Sequence, residues 1–399
     1  MGIEESRVGV VGGSIAGCAA AIALRRAGCE VTVFERSPDR LRDRGFGIGL
    51  PVSQRDEFAA AGYLDAALPA HQTWERLWIV DDSGSPSASK TGRIAGRQPF
   101  VAALNNWGIL WRSLRAGVAE GAYRQPVTVT DVEADTDGAT IVTDSGHRHR
   151  YDLVVGADGY RSGARRRVGH GTGPDYAGYV LWRGSYSESR LPGPLPSEFE
   201  HAMSMVCFPG GHGVFYLIPD FGGEQRRMNW AVYGALPERL RFDDPTSLPP
   251  GSVGDDVAAV LDHILATYFP PYWADVVRRT TRDELSAQPI YDVTASTYVA
   301  GRLLLIGDAA AVARPHTGAG AAKALADARA LERACREHDT WGRALAAYDE
   351  ERRAAGEALV ELGQRLGAAL VERTPPWDSL TPGEFETWMR AIHLTPYAR

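Results

Sequence analysis

Between residues 7 and 35 the chain reads as a strand, a glycine turn, a helix and a second strand closed by an acid. No other stretch constrains the fold as much. Residues 7–11 are short and apolar, and Gly12-Gly13-Ser14-Ile15-Ala16-Gly17 follows at once. Residues 18–27 are rich in Ala and Leu, Gly28 stands where a helix C-cap belongs, and residues 30–35 are rich in β-formers. That order, within about 30 residues, is a βαβ unit, and it predicts a parallel sheet at the start of the chain. The usual turn has three glycines: one for the turn, one for backbone approach to a pyrophosphate, one for helix–strand packing. Gly12 and Gly17 hold the outer positions and Ser14 replaces the middle one. Serine is small, polar and a good N-cap, so an anion site at the helix start survives the exchange. Taken alone, the turn serves a plain strand–helix corner as well as a dinucleotide. Glu35, spaced to meet a ribose hydroxyl, favours the dinucleotide and disfavours a 2′-phosphate there.

At 399 residues the chain exceeds a common single domain, and 44% hydrophobic with 23% charged residues is ordinary for a globular core. A formal charge of −7 without a long basic tract excludes a nucleic-acid surface and a polybasic membrane anchor. No apolar run reaches the roughly 18 residues of a membrane span. The amino terminus runs into a strand with no room for a signal peptide, so a soluble, cytoplasmic protein is expected. Cys18, Cys29, Cys207 and Cys335 are scattered without a CxxC pair, which predicts free thiols and no metal site.

Residues 179–186, 203–208, 213–219 and 228–234 read as strands joined by Pro- and Gly-rich turns. Consecutive strands without helices between them predict an inserted antiparallel sheet. Residues 245–254 read as a loop and 255–268 as a helix; 319–336 and 341–370 are helical, and the last two dozen residues read as a surface-packed tail. Two further motifs stand out. In residues 152–159 a strand ends in Gly-Ala-Asp-Gly, and Ser162 and Arg165 follow; alone this is a strand-end turn with Arg165, Arg166 and Arg167 as a solvated face. In residues 301–310 a buried strand delivers Asp308, an acceptor for a ribityl hydroxyl, and residues 315–320 then offer backbone N–H groups ahead of a helix. Such a helix start favours negative charge by about 0.3–1 kcal/mol, apt for a reduced flavin with an anionic N1–O2 edge.

The three motifs, in this order and spacing over roughly residues 7–355, resemble the group A flavoprotein monooxygenases, the para-hydroxybenzoate hydroxylase-like aromatic hydroxylases. Gly-Gly-Ser in the turn, Tyr179-Val180-Leu181-Trp182-Arg183-Gly184 and Arg314-Pro315-His316-Thr317 are similar to the 2,6-dihydroxypyridine hydroxylase branch. The resemblance implies an α/β chain. Its Rossmann-like FAD-binding domain with a parallel sheet would take residues 1–74, 99–174 and 286–345. An inserted antiparallel-sheet substrate domain would take 75–98 and 175–285, and C-terminal helices 346–399. Gly12, Ser14, Ile15, Ala16 and Gly17 would line the FAD pyrophosphate, with Glu35 on the adenosine ribose and Arg36 beside the adenine. Asp308 would meet the ribityl chain or pyrophosphate, and Pro315, Gly318, Ala319, Gly320 and Ala321 would border the isoalloxazine. Asp158 and Gly159 are associated in this family with FAD and also with NAD(P)H. Residues 44–49 match the loop beside which a mobile flavin swings, bringing Gly47 and Ile48 to the cofactor; Val132 is a further FAD contact. The chain departs from the family pattern at Ala311, where many members carry His. It departs again at Trp107, where an Arg is usual, and Arg112, a turn and a half later, takes over as the FAD contact.

The implied chemistry belongs to the cofactor, while the protein positions the reactants and excludes water. NADH or NADPH reduces FAD, O₂ adds at flavin C4a, and the hydroperoxide passes one oxygen to an electron-rich aromatic ring. The partners are then a small aromatic substrate and O₂, in a monomer or homodimer; the helix at 341–370 could pack on the body or on a second subunit. His316, His212 and Tyr216 are the catalytic candidates, with Tyr233 beside them. His212, in a Gly-Gly-His-Gly stretch, reads equally as a surface turn histidine, and His316 equally as a loop-stabilising one. Trp182, Phe208, Phe215, Trp230 and Tyr233 could wall an aromatic pocket or form ordinary core. A flavin halogenase would need Trp-x-Trp-x-Ile-Pro, a Baeyer–Villiger enzyme a second glycine fingerprint and a disulfide reductase a Cys pair; the sequence has none of these. An FAD-dependent reductase or dehydrogenase, or a non-catalytic flavin-binding redox module, are the alternatives. Product mass separates them, because only a monooxygenase adds an oxygen atom.

Overall fold

The computed structural model describes residues 2–38, 45–169, 173–240 and 247–392. The chain opens with β1 (Arg7–Val11), α1 (Ile15–Arg26), β2 (Glu30–Phe34), β3 (Gly47–Pro51), α2 (Val52–Ala60), β4 (His71–Val80) and β5 (Arg93–Asn106). Next come α3 (Trp107–Ala116), β6 (Tyr123–Arg124), β7 (Val129–Ala134), β8 (Ala139–Thr143), β9 (Arg148–Tyr151), β10 (Leu153–Gly156) and α4 (Gly163–Val168). Then follow β11 (Asp175–Ser187), the single-turn α5 (Ser197–Glu200), β12 (Ala202–Phe208), β13 (Gly211–Pro219), β14 (Arg226–Ala235), α6 (Asp255–Tyr268) and α7 (Pro271–Arg278). The remainder is β15 (Ser286–Thr294), β16 (Val299–Ala300), β17 (Leu303–Leu305), β18 (Ala311–Val312), α8 (Gly320–Glu337), α9 (Trp341–Gly367) and α10 (Pro382–Ile392).

One sheet has the order β16-β17-β10-β1-β2-β6 and is parallel except at β16. Val8, Val10, Val154 and Leu304 are fully buried, the near-continuous apolar pattern of strands covered on both faces. Gly9 lets Ile141 and Tyr151 of the small β7-β8-β9 sheet lie against the backbone of β1. The second sheet has the order β18-β15-β11-β14-β13-β12-β4-β5-β3. Its neighbours are antiparallel, as expected for the inserted layer, except that β12 pairs with β4 in parallel.

Side chains alternate across this second sheet with period two. Trp182, Phe208, Phe215 and Trp230 point toward α6 and α7 and form a core with Leu261 and Trp273. Of the five aromatics read as a possible pocket wall, only Tyr233 faces the other way. The helix expected at 255–268 is α6 itself. The helix expected at 341–370 ends at Gly367, continues as a π-helical turn over Ala368–Glu372, and packs on the body through Trp341, Ala344 and Tyr348. The tail expected to pack on the surface does so, and it forms a helix there. Its described part includes α10 and buries Trp377 and Phe385 against Trp78 on the outer part of the sheet's other face, because three aromatics at 377, 385 and 388 have an apolar cluster to join. All four cysteines are buried and free, and burial pushes the Cys18 thiol up to about 12. Among the described residues no helix is long and apolar enough to cross a membrane.

Candidate active site

The first motif closes tightly on its neighbours. Gly12 adopts φ +100°, where a Cβ would overlap the Ala157 carbonyl. A Cβ at Gly17 would overlap the Gly12 carbonyl, and one at Gly13 the Tyr123 hydroxyl. Ser14 is the N-cap of α1, yet its hydroxyl makes no capping bond and the first turn holds no acid. The helix start therefore keeps its N–H groups, its dipole and a spare hydroxyl for an anion. Glu35 is buried and accepts from Gly13 N at 2.7 Å and Ser37 N at 2.8 Å, which aims its carboxylate beside the turn.

The adjoining segment is 124–127: Glu35 N donates to Arg124 O at 2.9 Å, and Val127 N to Glu35 O at 2.8 Å. Arg36 is exposed at this edge. Two expected contacts are not brought here. Val132 is core on β7, with its N–H bonded to the Asp131 carboxylate at 2.8 Å. Arg112 points away from the turn: it donates to Phe221 O at 2.7 Å, and its neighbour Trp111, about 100° around α3, donates to Gly13 O at 2.9 Å. Phe221 borders Gly45, at the described end of the 44–49 loop; Arg44 lies outside the described residues.

The second and third motifs lock together. Asp158 accepts from Ser162 Oγ at 2.5 Å, Gly163 N at 2.7 Å and Ala164 N at 3.1 Å, so it caps α4; Gly159 follows at φ +81°. Arg165 is buried, not solvated as read from sequence. It donates to the carbonyls of Tyr160 at 2.6 Å, Ala309 at 3.0 Å and Asp308 at 3.3 Å, replacing water with backbone acceptors. Gly307 is wedged between Ala16 of α1 and Ala324 of α8. Its N–H donates to Asp327 at 2.9 Å and its carbonyl accepts from Lys323 Nζ at 2.9 Å. Lys323 pairs with Asp327 at 2.8 Å, and Arg352 of α9 reaches the same carboxylate at 2.7 Å. This buried network holds the residue before Asp308 at both ends of its peptide. Asp308 itself is exposed, so its carboxylate is open to a ligand. The i, i+4 spacing of Lys323 and Asp327 was visible in the sequence, but Arg352 was not.

Arg314 anchors the following loop through a buried pair with Asp292 at 2.9 Å and a second with Glu372 at 2.5 Å. Pro315 is exposed, Gly318 turns at φ +64°, and Ala319 N donates to Thr317 Oγ1 at 3.3 Å. At Gly320 and Ala321 the first turn of α8 has no side-chain cap and no acid, leaving N–H groups to face a ligand edge. His316 Nε2 lies 2.7 Å from the Tyr179 hydroxyl, while its Nδ1 is buried without a partner among the described residues. His212 is a correction. It lies within β13, 1% exposed, stacked on Tyr233 with ring centroids 4.6 Å apart, because the turn falls before it. Tyr233 in turn sits 4.4 Å from the His316 ring. Burial lowers His212 to about 3 and, with His212 and Arg314 nearby, holds His316 well below its usual value; both are neutral at neutral pH. Tyr216 lies farther along the same face with its ring against Gly47, and burial pushes its hydroxyl up to about 12. Gly47 N donates to Asn229 Oδ1 at 2.7 Å, which fixes Gly47 and half-buried Ile48 beside the sheet.

A flavin dinucleotide fits this set. A glycine cradle that any Cβ would fill, an uncapped helix start, an acid at the ribose position and an orphaned imidazole nitrogen in the ring loop are its complementary features. Fold and site thus define a dinucleotide-binding oxidoreductase. Comparison with known proteins narrows the class. Family models for an FAD binding domain-like region match residues 176–287, for an FAD binding domain residues 265–362, and for an NAD(P)-binding Rossmann-like domain residues 10–40. The chain is 29% identical over 388 residues to 2,6-dihydroxypyridine 3-monooxygenase of Paenarthrobacter nicotinovorans, covering 93% of each. It is 31% identical over 343 residues to 3-amino-4-hydroxybenzoate 2-monooxygenase PtmB3 of Streptomyces platensis, covering 82% of this chain and 79% of that one. The solved structure of 2,6-dihydroxypyridine-3-hydroxylase from Arthrobacter nicotinovorans superposes with a TM-score of 0.82 at 25% identity, covering 93% of this chain and 95% of that one. The chain belongs to the group A flavin monooxygenases, FAD-dependent oxidoreductases that draw electrons from NAD(P)H.

Proposed function

We propose that this enzyme hydroxylates an electron-rich aromatic or heteroaromatic ring bearing a hydroxyl or amino group, of the phenol or hydroxypyridine type. The observation that supports this reading best is the neutral His212–Tyr233–His316 cluster, buried at His212 and Tyr233 and half-buried at His316, beside the uncapped start of α8. Bound FAD would accept hydride from NADH or NADPH and activate O₂. Gly12, Ser14, Gly17 and Glu35 would hold its pyrophosphate and ribose, Asp308 its ribityl chain, and the N–H groups of Gly320 and Ala321 the ring edge. With Nε2–H donated to the Tyr179 oxygen, His316 Nδ1 is a buried acceptor without a partner among the described residues, which a ring hydroxyl would take up on binding. Its lowered basicity suits it to polarise that hydroxyl rather than to store the proton. The same proposal places the enzyme in the cytoplasm, which cell fractionation tests, as a monomer or homodimer, which light scattering on the purified protein tests.

The deciding experiment is oxygen uptake by FAD-loaded protein with NADH and with NADPH across phenols, hydroxypyridines and aminophenols, with product masses read in parallel. A product heavier by one oxygen and a clear preference for one nicotinamide are expected. Oxidation or reduction of a substrate with no added oxygen would favour a reductase or dehydrogenase. A flavin that neither nicotinamide reduces would favour the redox module.

A further inference from the structure

The outer end of the open sheet face carries a cationic cluster that neither the glycine turn nor the ring end uses. Arg227 stands two residues before Asn229 on β14, so it shares the face of Asn229 and Tyr233 and lies in the row beyond Tyr216–Asn229. Phe221 sits half-buried in the turn between β13 and β14, and Arg112 reaches it from α3. The guanidinium carbons of Arg112 and Arg227 lie 5.8 Å and 5.6 Å from the centre of the Phe221 ring. Gly45 brings the adjoining loop against this cluster: a Cβ there would stand 3.0 Å from the ring and 3.9 Å from Arg227 Nε. Protein oxygens orient both cations. Arg112 donates to Phe221 O at 2.7 Å, and Arg227 donates to Ser185 Oγ at 3.2 Å and Ser185 O at 2.7 Å. Neither pairs with a carboxylate among the described residues, and their remaining N–H groups are not buried. Arg226, on the other face, is matched by Glu188 and Glu200. The acids that act on Arg227 are engaged elsewhere: Glu284 pairs with Arg190 at 2.6 Å, and Asp220 accepts from Gly223 N and Gln225 N.

We propose that Arg112 and Arg227 dock the pyrophosphate of the nicotinamide dinucleotide that reduces the flavin, with the Phe221 ring against one of its planar bases. The sequence holds one glycine fingerprint, at the start of α1, and the flavin dinucleotide takes it. The electron donor is then held by side chains rather than by a second backbone cradle. Two guanidinium groups beside one ring repel each other, and a ligand with two negative charges relieves that repulsion. Their forks of N–H donors suit phosphate oxygens, and a half-buried aromatic face suits a planar base. The chain carries a formal charge of −7, so a dianionic ligand is repelled by most of the surface and drawn to this cluster. The loop that Gly45 opens runs on to Gly47, which lies against Tyr216, so a donor anchored here stays beside the ring end. The inference needs only an FAD enzyme that draws electrons from NAD(P)H, and it holds whichever ring is hydroxylated.

The test follows anaerobic reduction of the FAD-loaded enzyme by stopped-flow flavin absorbance. The donors are NADH, NADPH and 1-benzyl-1,4-dihydronicotinamide, an uncharged hydride donor without phosphate. Wild type is compared with Arg112→Met, Arg112→Lys, Arg227→Met and the double methionine variant. ADP-ribose, which keeps the pyrophosphate and lacks the nicotinamide, is measured on the same proteins by equilibrium dialysis. The double variant is expected to bind NADH, NADPH and ADP-ribose about ten- to a hundredfold more weakly. Its limiting reduction rate, and its rate with the benzyl donor, should stay within about twofold of wild type. Arg112→Met alone is expected to lose about three- to tenfold, and Arg112→Lys to recover most of that loss. Added salt should weaken ADP-ribose binding to wild type more than to the double variant. A change of less than about twofold with every dinucleotide, or an equal loss with the benzyl donor, overturns the inference. So does a loss confined to NADPH, which would put the 2′-phosphate here instead. Where reduction does not saturate, second-order rate constants are compared in the same way. If Arg227→Met does not retain FAD, exposed Arg112 decides through its methionine and lysine variants. A double variant that loses ADP-ribose, beside a wild type that adds oxygen to no arene, would sink the hydroxylase reading and leave the docking site standing.

Discussion

The cofactor end of the cleft and its ring end are built from different material. At the glycine turn the groups proposed to bind are mainly backbone: N–H groups at the start of α1, a carboxylate oriented by Gly13 and Ser37, and glycines that bring main chains into contact. At the ring end the wall is made of side chains, His212, Tyr216 and Tyr233 on adjacent strands and Arg183 one strand over, brought together only by register. A backbone site tolerates little change in chain geometry and much change in neighbouring side chains. A side-chain site on a sheet face has the opposite tolerance, which lets a family keep one cofactor and vary its substrates.

That contrast can be broken by experiment. The largest effect is expected from Asp327→Ala. It leaves Lys323 and Arg352 buried without their acid and frees Gly307, so stability should fall by about 3–5 kcal/mol with loss of bound FAD, read by urea unfolding and flavin absorbance. Gly17→Ala comes next. Its Cβ has no space beside the Gly12 carbonyl, and a loss of about 1–3 kcal/mol with near-complete loss of FAD is expected. FAD retained at wild-type levels in Gly17→Ala would refute the account of the backbone end.

The ring end is sharpened by acid. His212 is neutral and buried when folded and takes a proton readily when unfolded, so the unfolded state binds more protons between pH 6.5 and about 3. Its contribution is therefore fully present above pH 6.5 and is lost as pH falls through that window, at up to about 1.4 kcal/mol per pH unit. His212→Phe should flatten the acid limb of a stability–pH curve, and an unchanged limb would show that the imidazole is hydrated. The smallest effect belongs to Ser14→Gly. The hydroxyl caps nothing, so stability should change by only a few tenths of a kcal/mol and FAD affinity by less than about threefold in a fluorescence titration.

The cofactor end was legible because its signals are local. Gly12, Gly17 and Glu35 lie within one βαβ unit, and each has a stereochemical reason visible at its own position. The misreadings share a different cause. Arg165 looked solvated because nothing near it in sequence says that the carbonyls of Asp308 and Ala309 will surround it. Val132 and Arg112 were expected from the family resemblance, but Val132 faces the core and the facing of α3 puts Trp111 rather than Arg112 at the turn. His212 reads as a turn residue until the strand pairing with β14 is known. The parallel β4–β12 pair joins segments more than a hundred residues apart, a relation that no local pattern encodes.

The order in which strands enter the two large sheets has a consequence for descent. β1 and β2 belong to one sheet, β3 to β5 to the other, then β6 and β10 to the first, β11 to β15 to the second, β16 and β17 to the first and β18 to the second. The gene therefore interleaves the two halves. A single genetic crossover between relatives would exchange parts of both sheets at once and leave each with mismatched seams. Only the contiguous run from β11 to β15 could pass as one piece, and it would still meet β4, β5 and β18 of the recipient. Changes at alternate positions of β11, β13 and β14 alter one face of the sheet while leaving these seams intact.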